Sequence, residues 1–305
     1  MRFLDWGEDG RKVSVIGIGC MRMDDLPAAQ VDAVIDAALE CGIDFFDHAD
    51  IYGDGECEKK FGKALKRKPT LRDRIFIQSK CSIRDGLYDF SAPYIISSVE
   101  GILSRLGTDH IDSLLLHRPD ALMEPEEVQM AFSRLYGEGK VLSFGVSNFN
   151  RFQLELLQSG LSFPIMADQM QFSLAHTPMI DEGINVNTMF DGAVMRTAGT
   201  LEYCRMHRIA VQTWSPLQKG FFGGVFLGDP EYAELNGVLE RLASQYGVSA
   251  DTIAYAWLLR YPARMQVITG TMNPDRIASA ARAADIGLTR EEWYELYRAA
   301  GNELP

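Results

Sequence analysis

The chain has 305 residues, and 30 lysines and arginines against 42 aspartates and glutamates give a formal net charge of −12 at pH 7. Hydrophobic residues make up 47% and charged residues 24%, so the composition is that of a globular protein and excludes disorder as the dominant state. The acidic balance argues against nucleic acid as a bulk partner, because phosphate binding needs a basic face.

The sequence shows no signal for export or membrane insertion. No run approaches the ~18 apolar residues of a membrane span, and the N-terminal residues lack the hydrophobic core of a signal peptide. The 5 cysteines are scattered and form no C-x-x-C pair, which is typical of reduced thiols. These features predict a cytoplasmic protein with no membrane partner and no metal site. No linker divides the chain, so residues 1–305 are predicted to form a single domain.

The predicted strands are short apolar runs bounded by glycine or polar residues. A β-hairpin is predicted first, from residues 3–6 and 12–15 around a turn at 8–11. The predicted strands follow in chain order at 13–18, 45–46, 75–77, 111–116, 141–146, 165–167, 209–213 and 265–268.

Amphipathic helices are predicted between these runs. Apolar residues recur at helical spacing over 31–39 and 95–106. Asp229-Pro230 and Asn273-Pro274 predict helix N-termini, each with an N-cap and a proline at the first helical position. Thr289 and Glu292 predict a capping box for the last helix.

Eight strands alternating with helices predict parallel strands, because a crossover between parallel strands needs a helix-sized connection. The fold class predicted is a (β/α)8 TIM barrel, with the N-terminal hairpin closing the bottom and an extra C-terminal helix. The alternative is a doubly wound open sheet, which would usually carry a glycine-rich turn after its first strand to bind a dinucleotide. The corresponding segment, residues 17–22, lacks the third glycine, so the barrel is favoured.

Polar residues follow most of the predicted strands. In a TIM barrel these positions lie around one mouth, where active sites are found. They are Asp47, Lys80, His117, Ser147, Asn148, Gln169, Gln171, Trp214, Ser215, Thr269, Gly270 and Thr271.

Tyr52, Lys80, Asp47 and His117 together suggest a general acid. A phenol has an ordinary pKa of ~10, and a nearby ammonium such as Lys80 is expected to lower it by roughly one to three units. Asp47 would hold that ammonium, and His117 would donate to a carbonyl oxygen or relay a proton. Such a site has no nucleophile and no metal cluster, so it needs a hydride donor.

Four motifs resemble the aldo-keto reductase family, in its order and spacing. They are Asp47-His48-Ala49-Asp50-Ile51-Tyr52-Gly53, Ser79-Lys80, Leu115-Leu116-His117-Arg118-Pro119 and Gly145-Val146-Ser147-Asn148-Phe149. The resemblance covers essentially the whole chain, and the nearest subgroup is bacterial. It implies an NADPH-dependent carbonyl reductase that uses neither metal nor flavin, with Tyr52 as the proton donor and Lys80, Asp47 and His117 completing a tetrad.

The resemblance also implies a set of NADP-binding residues. They are Gly19, Met21, Ser147, Asn148, Gln169, Trp214, Ser215, Leu217, Lys219, Gly270, Thr271 and Arg276. By the same resemblance, Ser147, Asn148 and Gln169 hold the nicotinamide carboxamide, and Trp214 stacks on its ring. Ser215, Leu217 and Lys219 line the pyrophosphate, and Gly270, Thr271 and Arg276 meet the adenosine 2′-phosphate, which favours NADP over NAD.

The sequence departs from the family pattern at a few positions. Asp168 replaces an asparagine found in many relatives, and Gly270 replaces a lysine. Residues 175–200 show no clear period and are predicted to form a long loop that overhangs the mouth. Arg118 and Asp120 are predicted to pair at its rim. The expected partner is a small carbonyl substrate, and the expected assembly is a monomer or a weak homo-oligomer.

Two other functions are compatible with these residues. Lys80 could form a Schiff base in a barrel lyase, but that reading leaves Asn148, Gln169 and Arg276 unexplained. A cofactor-binding regulatory subunit is the alternative from a different class, because some relatives of the family serve as partners of ion channels.

Overall fold

The computed structural model describes residues 1–7 and 10–305. The strands in chain order are β1 (Phe3–Trp6), β2 (Arg11–Ser14), β3 (Ile16–Gly19), β4 (Phe45–Asp47), β5 (Phe76–Cys81), β6 (Ile83–Arg84), β7 (Leu87–Tyr88), β8 (Ser113–Leu116), β9 (Phe144–Ser147), β10 (Ile165–Gln171), β11 (Ala210–Trp214) and β12 (Met265–Thr269). The helices are α1 (Ala28–Glu40), α2 (Glu56–Arg67), α3 (Ala92–Leu106), α4 (Pro125–Gly137), α5 (Arg151–Gly160), α6 (Pro178–Ile184), α7 (Thr200–Met206), α8 (Ala233–Tyr246), α9 (Ala250–Arg260), α10 (Pro274–Arg282) and α11 (Arg290–Ala299).

Eight of the strands close into a parallel barrel in the order β3, β4, β5, β8, β9, β10, β11, β12, with β12 pairing back to β3. Helices lie between consecutive barrel strands, so the predicted (β/α)8 barrel is confirmed. The extra C-terminal helix is α11, which packs on α9. The Trp257 and Trp293 rings stack there at 4.9 Å, and each indole N–H donates to the other residue's carbonyl oxygen.

The N-terminal hairpin closes the bottom of the barrel, as predicted. β1 and β2 pair antiparallel, with Phe3 opposite Ser14. The buried Trp6 packs against Phe45 and Phe76 at 5.9 and 5.2 Å between ring centroids. Residues 8 and 9 of the predicted turn lie outside the described residues.

The prediction of one strand over 13–18 is wrong, because the chain changes partners within it. β2 ends at Ser14, and β3 begins at Ile16. Between them the Ser14 hydroxyl donates to the Ile16 carbonyl oxygen at 2.6 Å. The Ser14 carbonyl oxygen accepts from the Gln266 amide at 2.8 Å, which ties this corner to β12.

The predicted caps are present. Asn273 accepts from the N–H groups of Asp275 and Arg276 at the start of α10. Thr289 and Glu292 form the reciprocal capping box of α11. Asp229 caps a short 3-10 turn rather than an α-helix. Among the described residues, no helix combines the length and the apolar character that crossing a membrane requires.

Candidate active site

The carboxyl ends of the barrel strands open into a cavity of about 1960 Å³. Pockets for drug-sized ligands have volumes of ~300–1,000 Å³, so this cavity has room for a dinucleotide and a substrate together. Asp47, Tyr52 and His117 line it, and they come from the ends of β4 and β8 and from the turn after β4. Barrel topology therefore brings the predicted tetrad together although its members are far apart in sequence.

Lys80 lies at the centre of the tetrad. Its side chain is fully buried, and its ammonium donates to both carboxylate oxygens of Asp47 at 2.7 Å. It also donates to the His48 carbonyl oxygen at 2.9 Å and to the Tyr52 hydroxyl at 3.3 Å. The buried charge is thus paired and hydrogen-bonded, as its removal from water requires.

The pKa values of Lys80 and Tyr52 both lie above their ordinary values. Burial opposes the charge on Lys80, but Asp47 and Tyr52 together outweigh it. For Tyr52, burial of the hydroxyl raises the pKa more than Lys80 lowers it. The expectation that Lys80 brings the pKa of Tyr52 below that of a free phenol is therefore wrong, because the hydroxyl loses more in leaving water than it gains from the ammonium.

A tight turn places Tyr52. Gly53, Asp54 and Gly55 follow it in the left-handed region, with φ of 54°, 51° and 84°. A Cβ on Gly53 would lie 2.6 Å from the Cβ of Asp24, so a side chain does not fit there. The Tyr52-Gly53 pair of the sequence motif is therefore a geometric requirement of this turn.

His117 approaches Tyr52 from β8. The two rings meet edge to face, with 6.0 Å between centroids. Burial, together with the charges of Lys80 and Arg118, holds the pKa of His117 well below its usual range. The imidazole is therefore neutral at physiological pH, and it can donate one ring N–H without carrying a charge.

A chain of glutamines crosses the barrel interior and ends at Asp47. The Gln78 amide nitrogen donates to Asp47 Oδ1 at 2.7 Å and to Gln212 Oε1 at 2.8 Å. Gln212 donates in turn to Gln266 Oε1 at 2.8 Å, and all these side chains are buried. Sequence analysis missed Gln78, Gln212 and Gln266. The available signal was an uncharged amide in the middle of three apolar strands.

Gln169 joins the same chain with a fixed orientation. Its amide nitrogen donates to Asp47 Oδ1 at 3.1 Å and to Gln212 Oε1 at 3.0 Å. Both amide protons are thereby used, which leaves Oε1 as the group that can accept from a ligand. Gln169 lines the cavity, so this acceptor belongs to the candidate site.

Ser147, Asn148 and Trp214 form a second connected group in the cavity wall. The Ser147 hydroxyl donates to the Gln169 carbonyl oxygen at 2.8 Å, and Asn148 Nδ2 donates to Ser147 Oγ at 2.7 Å. The Trp214 indole N–H donates to Asn148 Oδ1 at 3.1 Å. The structure therefore places the predicted carboxamide and ring-stacking residues side by side.

Comparison with known proteins agrees with this geometry. Residues 15–300 match the model of the Aldo/keto reductase family. The chain belongs to this family. It is 38% identical to the 6-dehydroglucose reductase of Agrobacterium fabrum and 36% identical to the oxidoreductase YdhF of Escherichia coli, over 97% of each chain in both cases. The family and the bacterial subgroup predicted from the sequence are confirmed.

A solved structure supports the fold. An aldo-keto reductase from Klebsiella pneumoniae in complex with NADPH superposes with a TM-score of 0.80 at 24% identity. The superposition covers 99% of this chain and 96% of that one. The barrel is therefore the aldo/keto reductase barrel.

The remaining predicted cofactor residues of this aldo/keto reductase fall into two groups. Those that line the cavity are Gly19, Met21, Ser215, Leu217, Gly270, Thr271 and Arg276. Lys219 does not line it. Its ammonium pairs with Asp229 at 2.6 Å and with Glu231 at 2.9 Å. These two carboxylates neutralise its charge. That Lys219 lines the pyrophosphate stays a prediction.

The prediction that residues 175–200 form a long loop is wrong. This segment contains α6, and its two halves are hydrogen-bonded to each other. The buried Glu182 accepts from the N–H groups of Arg196, Thr197 and Gly199. The residues that line the cavity include Trp214 at the end of β11, Phe221 in the segment after it, and Ile83 and Tyr88 of the β6–β7 hairpin.

Proposed function

We propose that this aldo/keto reductase reduces an aldehyde or ketone to the alcohol, with NADPH as the hydride donor and Tyr52 as the proton donor. The observation that carries the proposal is the buried Lys80 ammonium, which links the Asp47 carboxylate to the Tyr52 hydroxyl beside a cavity of dinucleotide size. The Lys80 ammonium is costly to bury, and it contacts the hydroxyl of Tyr52, which faces the cavity. A buried charge placed in this way is typical of an active site.

When bound, NADPH supplies the hydride that reduces the carbonyl carbon. The Tyr52 hydroxyl gives its proton to the carbonyl oxygen as the electron pair of the double bond moves onto that oxygen. Lys80 then stabilises the phenolate left on Tyr52, and Asp47 keeps Lys80 charged. The raised pKa of Tyr52 keeps the hydroxyl protonated before the reaction.

His117 orients and polarises the substrate. A neutral imidazole donates an N–H to the carbonyl oxygen without adding a second full charge beside Lys80. The edge-to-face contact with Tyr52 places the two donors on the same side of the cavity. The carbonyl oxygen would therefore receive two hydrogen bonds, which strengthen as negative charge develops on it.

The donors and acceptors of the cavity wall fit NADP. Gln169 Oε1 is oriented to accept from a carboxamide NH2, and Trp214 offers a ring face to the nicotinamide. At the other end, Arg276 lies in the first turn of α10, where the Asn273 cap and the helix N-terminus favour phosphate. We propose these residues for binding NADP and favour it over NAD because of Arg276.

The substrate is proposed to be a small, hydrophilic aldehyde or ketone. Two relatives that match nearly the whole chain, at 38% and 33% identity, are named 6-dehydroglucose reductases. An oxidised sugar is therefore a reasonable first substrate to test.

The experiment is NADPH oxidation with a panel of sugar-derived, aliphatic and aromatic aldehydes, combined with direct NADPH binding. Turnover that needs both NADPH and the aldehyde would support the proposal. Tight NADPH binding without turnover across the panel would favour the regulatory alternative, and covalent trapping of an aldehyde on Lys80 by borohydride would favour the lyase.

A further inference from the structure

We propose that Arg118 is the residue that recognises the substrate, and that the substrate carries an oxyanion such as a carboxylate. The inference rests on the proposed reductase function and names a substrate class for that site. Arg118 follows His117 directly and lines the same cavity. A group bound to it would therefore lie close to the carbonyl that Tyr52 and His117 address.

The Arg118 side chain reaches across the barrel mouth. Its guanidinium carbon lies 5.8 Å from the Trp214 ring centroid and 5.7 Å from that of Phe221. Arg118 follows β8, whereas Trp214 and Phe221 belong to the end of β11 and the segment after it, and β9 and β10 stand between these strands. The guanidinium is thus positioned over the cavity by two aromatic rings.

The backbone beneath Arg118 is fixed as well. The Ser82 hydroxyl accepts from the N–H groups of both His117 and Arg118, at 3.1 and 3.4 Å. Because one hydroxyl holds both backbone N–H groups, the point from which each of the two side chains leaves the backbone is set before any substrate binds. Such preorganisation lowers the entropic cost of recognition.

Arg118 has no carboxylate partner in the structure of residues 1–7 and 10–305. The predicted pair with Asp120 is absent, because Asp120 accepts from the N–H groups of Phe90 and Leu122 instead. The rings of Trp214 and Phe221 carry no oxygen that could accept from the guanidinium, and among the described residues no side chain or backbone group accepts a hydrogen bond from it. The guanidinium N–H donors suit a planar oxyanion, which they can bind in a bidentate manner.

The negative net charge of the protein makes the Arg118 cation more important for binding an anionic substrate. At a net charge of −12 the protein repels anions in general. The cavity is lined by the carboxylates of Asp24 and Asp251 and by the guanidinium groups of Arg22, Arg118 and Arg276, and the charge of Lys80 is balanced by Asp47. Of these arginines, Arg118 directly follows His117 in the chain, so it can provide the counter-charge for an anionic substrate beside the reacting group.

The test compares substrate pairs of matched size in the full-length protein. The probes are 4-oxobutanoate against butanal, and 4-formylbenzoate against 4-methylbenzaldehyde. The variant is Arg118→Met, which keeps a long side chain on the aromatic rings and removes the charge. The control is Arg84→Met, which removes the same charge from an exposed pair with Asp89 on the β6–β7 hairpin.

We expect Arg118→Met to lower kcat/KM for both carboxylated aldehydes by about 10- to 100-fold, mainly through KM, the range expected for a charge-assisted hydrogen bond. The neutral aldehydes should change by no more than about twofold, and Arg84→Met should leave all four unchanged. Raised salt should weaken binding of the carboxylated aldehydes only.

Two results would overturn the inference while leaving the reductase function intact. One is an equal fall for charged and neutral aldehydes in Arg118→Met, and the other is a wild-type preference for neutral, polyhydroxylated aldehydes over carboxylated ones. If the wild type reduces neither the probes nor any aldehyde of the panel, the proposed function fails. Calorimetry with 4-hydroxybutanoate then decides on Arg118 alone, because binding that is lost in Arg118→Met supports the oxyanion site and unchanged or absent binding refutes it.

Discussion

Asp168 provides a test of the electrostatic reasoning that does not depend on turnover. It lies in β10 next to the inward-facing Gln169, and it is fully buried. Its Oδ1 accepts from the Phe149 N–H at a long 3.4 Å, and its Oδ2 has no hydrogen-bond partner among the described residues. Burial raises the pKa of Asp168 from 3.8 to about 8, and the nearby backbone N–H groups oppose this only in part. The perturbation is Asp168→Asn, which keeps the shape of the protonated acid and cannot ionise.

The sign follows from proton linkage. Between pH 3.8 and about 8 the folded state holds a proton that the unfolded state has lost. The free energy of unfolding therefore falls as the pH rises from 3.8 towards about 8. The stabilising contribution of protonated Asp168 is complete below pH 3.8 and is lost near pH 8. The loss amounts to about 1.4 kcal/mol per pH unit inside the window, or roughly 3 kcal/mol over two units.

The assay is urea unfolding at several pH values across this window. The stability of Asp168→Asn relative to the wild type should increase with pH, because only the wild type must ionise a buried acid. The exposed Asp73 supplies the control variant, Asp73→Asn, for which we expect no such trend. Parallel stability curves for the wild type and Asp168→Asn would refute the reasoning.

Three further predictions concern the cavity. Lys80→Met should lower kcat by about 10²- to 10⁴-fold with NADPH affinity little changed, because it removes the cation that stabilises the Tyr52 phenolate; stopped-flow turnover and fluorescence titration measure the two. The pH profile of kcat/KM should show no inflection from His117 near 6.5, because the pKa of His117 is held well below that value; burial raises the pKa of Asp50 to about 6, so only an inflection that persists in Asp50→Asn would indicate a solvated imidazole. Arg276→Leu should raise KM for NADPH about 10-fold or more and leave that for NADH nearly unchanged, and equal effects on both would exclude a 2′-phosphate contact.

The barrel was predictable because its signals are local and repeated. Strand and helix periodicities alternate along the chain, and caps such as Asn273 and Thr289 mark helix starts in sequence. The strand division at Val15 was not predictable, because the apolar run continues through it. Only the change of hydrogen-bond partners, from β1 on one side to β12 and β4 on the other, separates the two strands.

The candidate site was predictable where the chemistry of a single residue requires a particular partner. A lysine at the end of a buried strand needs a counter-charge, and Asp47 supplies it. The glutamine chain was missed because each amide alone is neutral and unremarkable, and its meaning comes only from barrel closure. The pairs of Lys219 with Asp229 and Glu231 were not predicted, because the fold of the loop brings these carboxylates to it. The direction of the Tyr52 pKa shift depends on burial, which composition and motif spacing do not encode.

The most direct test of the central claim is the Tyr52→Phe variant, assayed for NADPH oxidation with the best aldehyde of the panel and for NADPH affinity. Loss of the hydroxyl removes the proposed proton donor and leaves the ring contact with His117. We predict a fall in kcat of about 10²- to 10⁴-fold with unchanged NADPH binding. Turnover at the wild-type rate would contradict the account, because the proton would then have to come from another group.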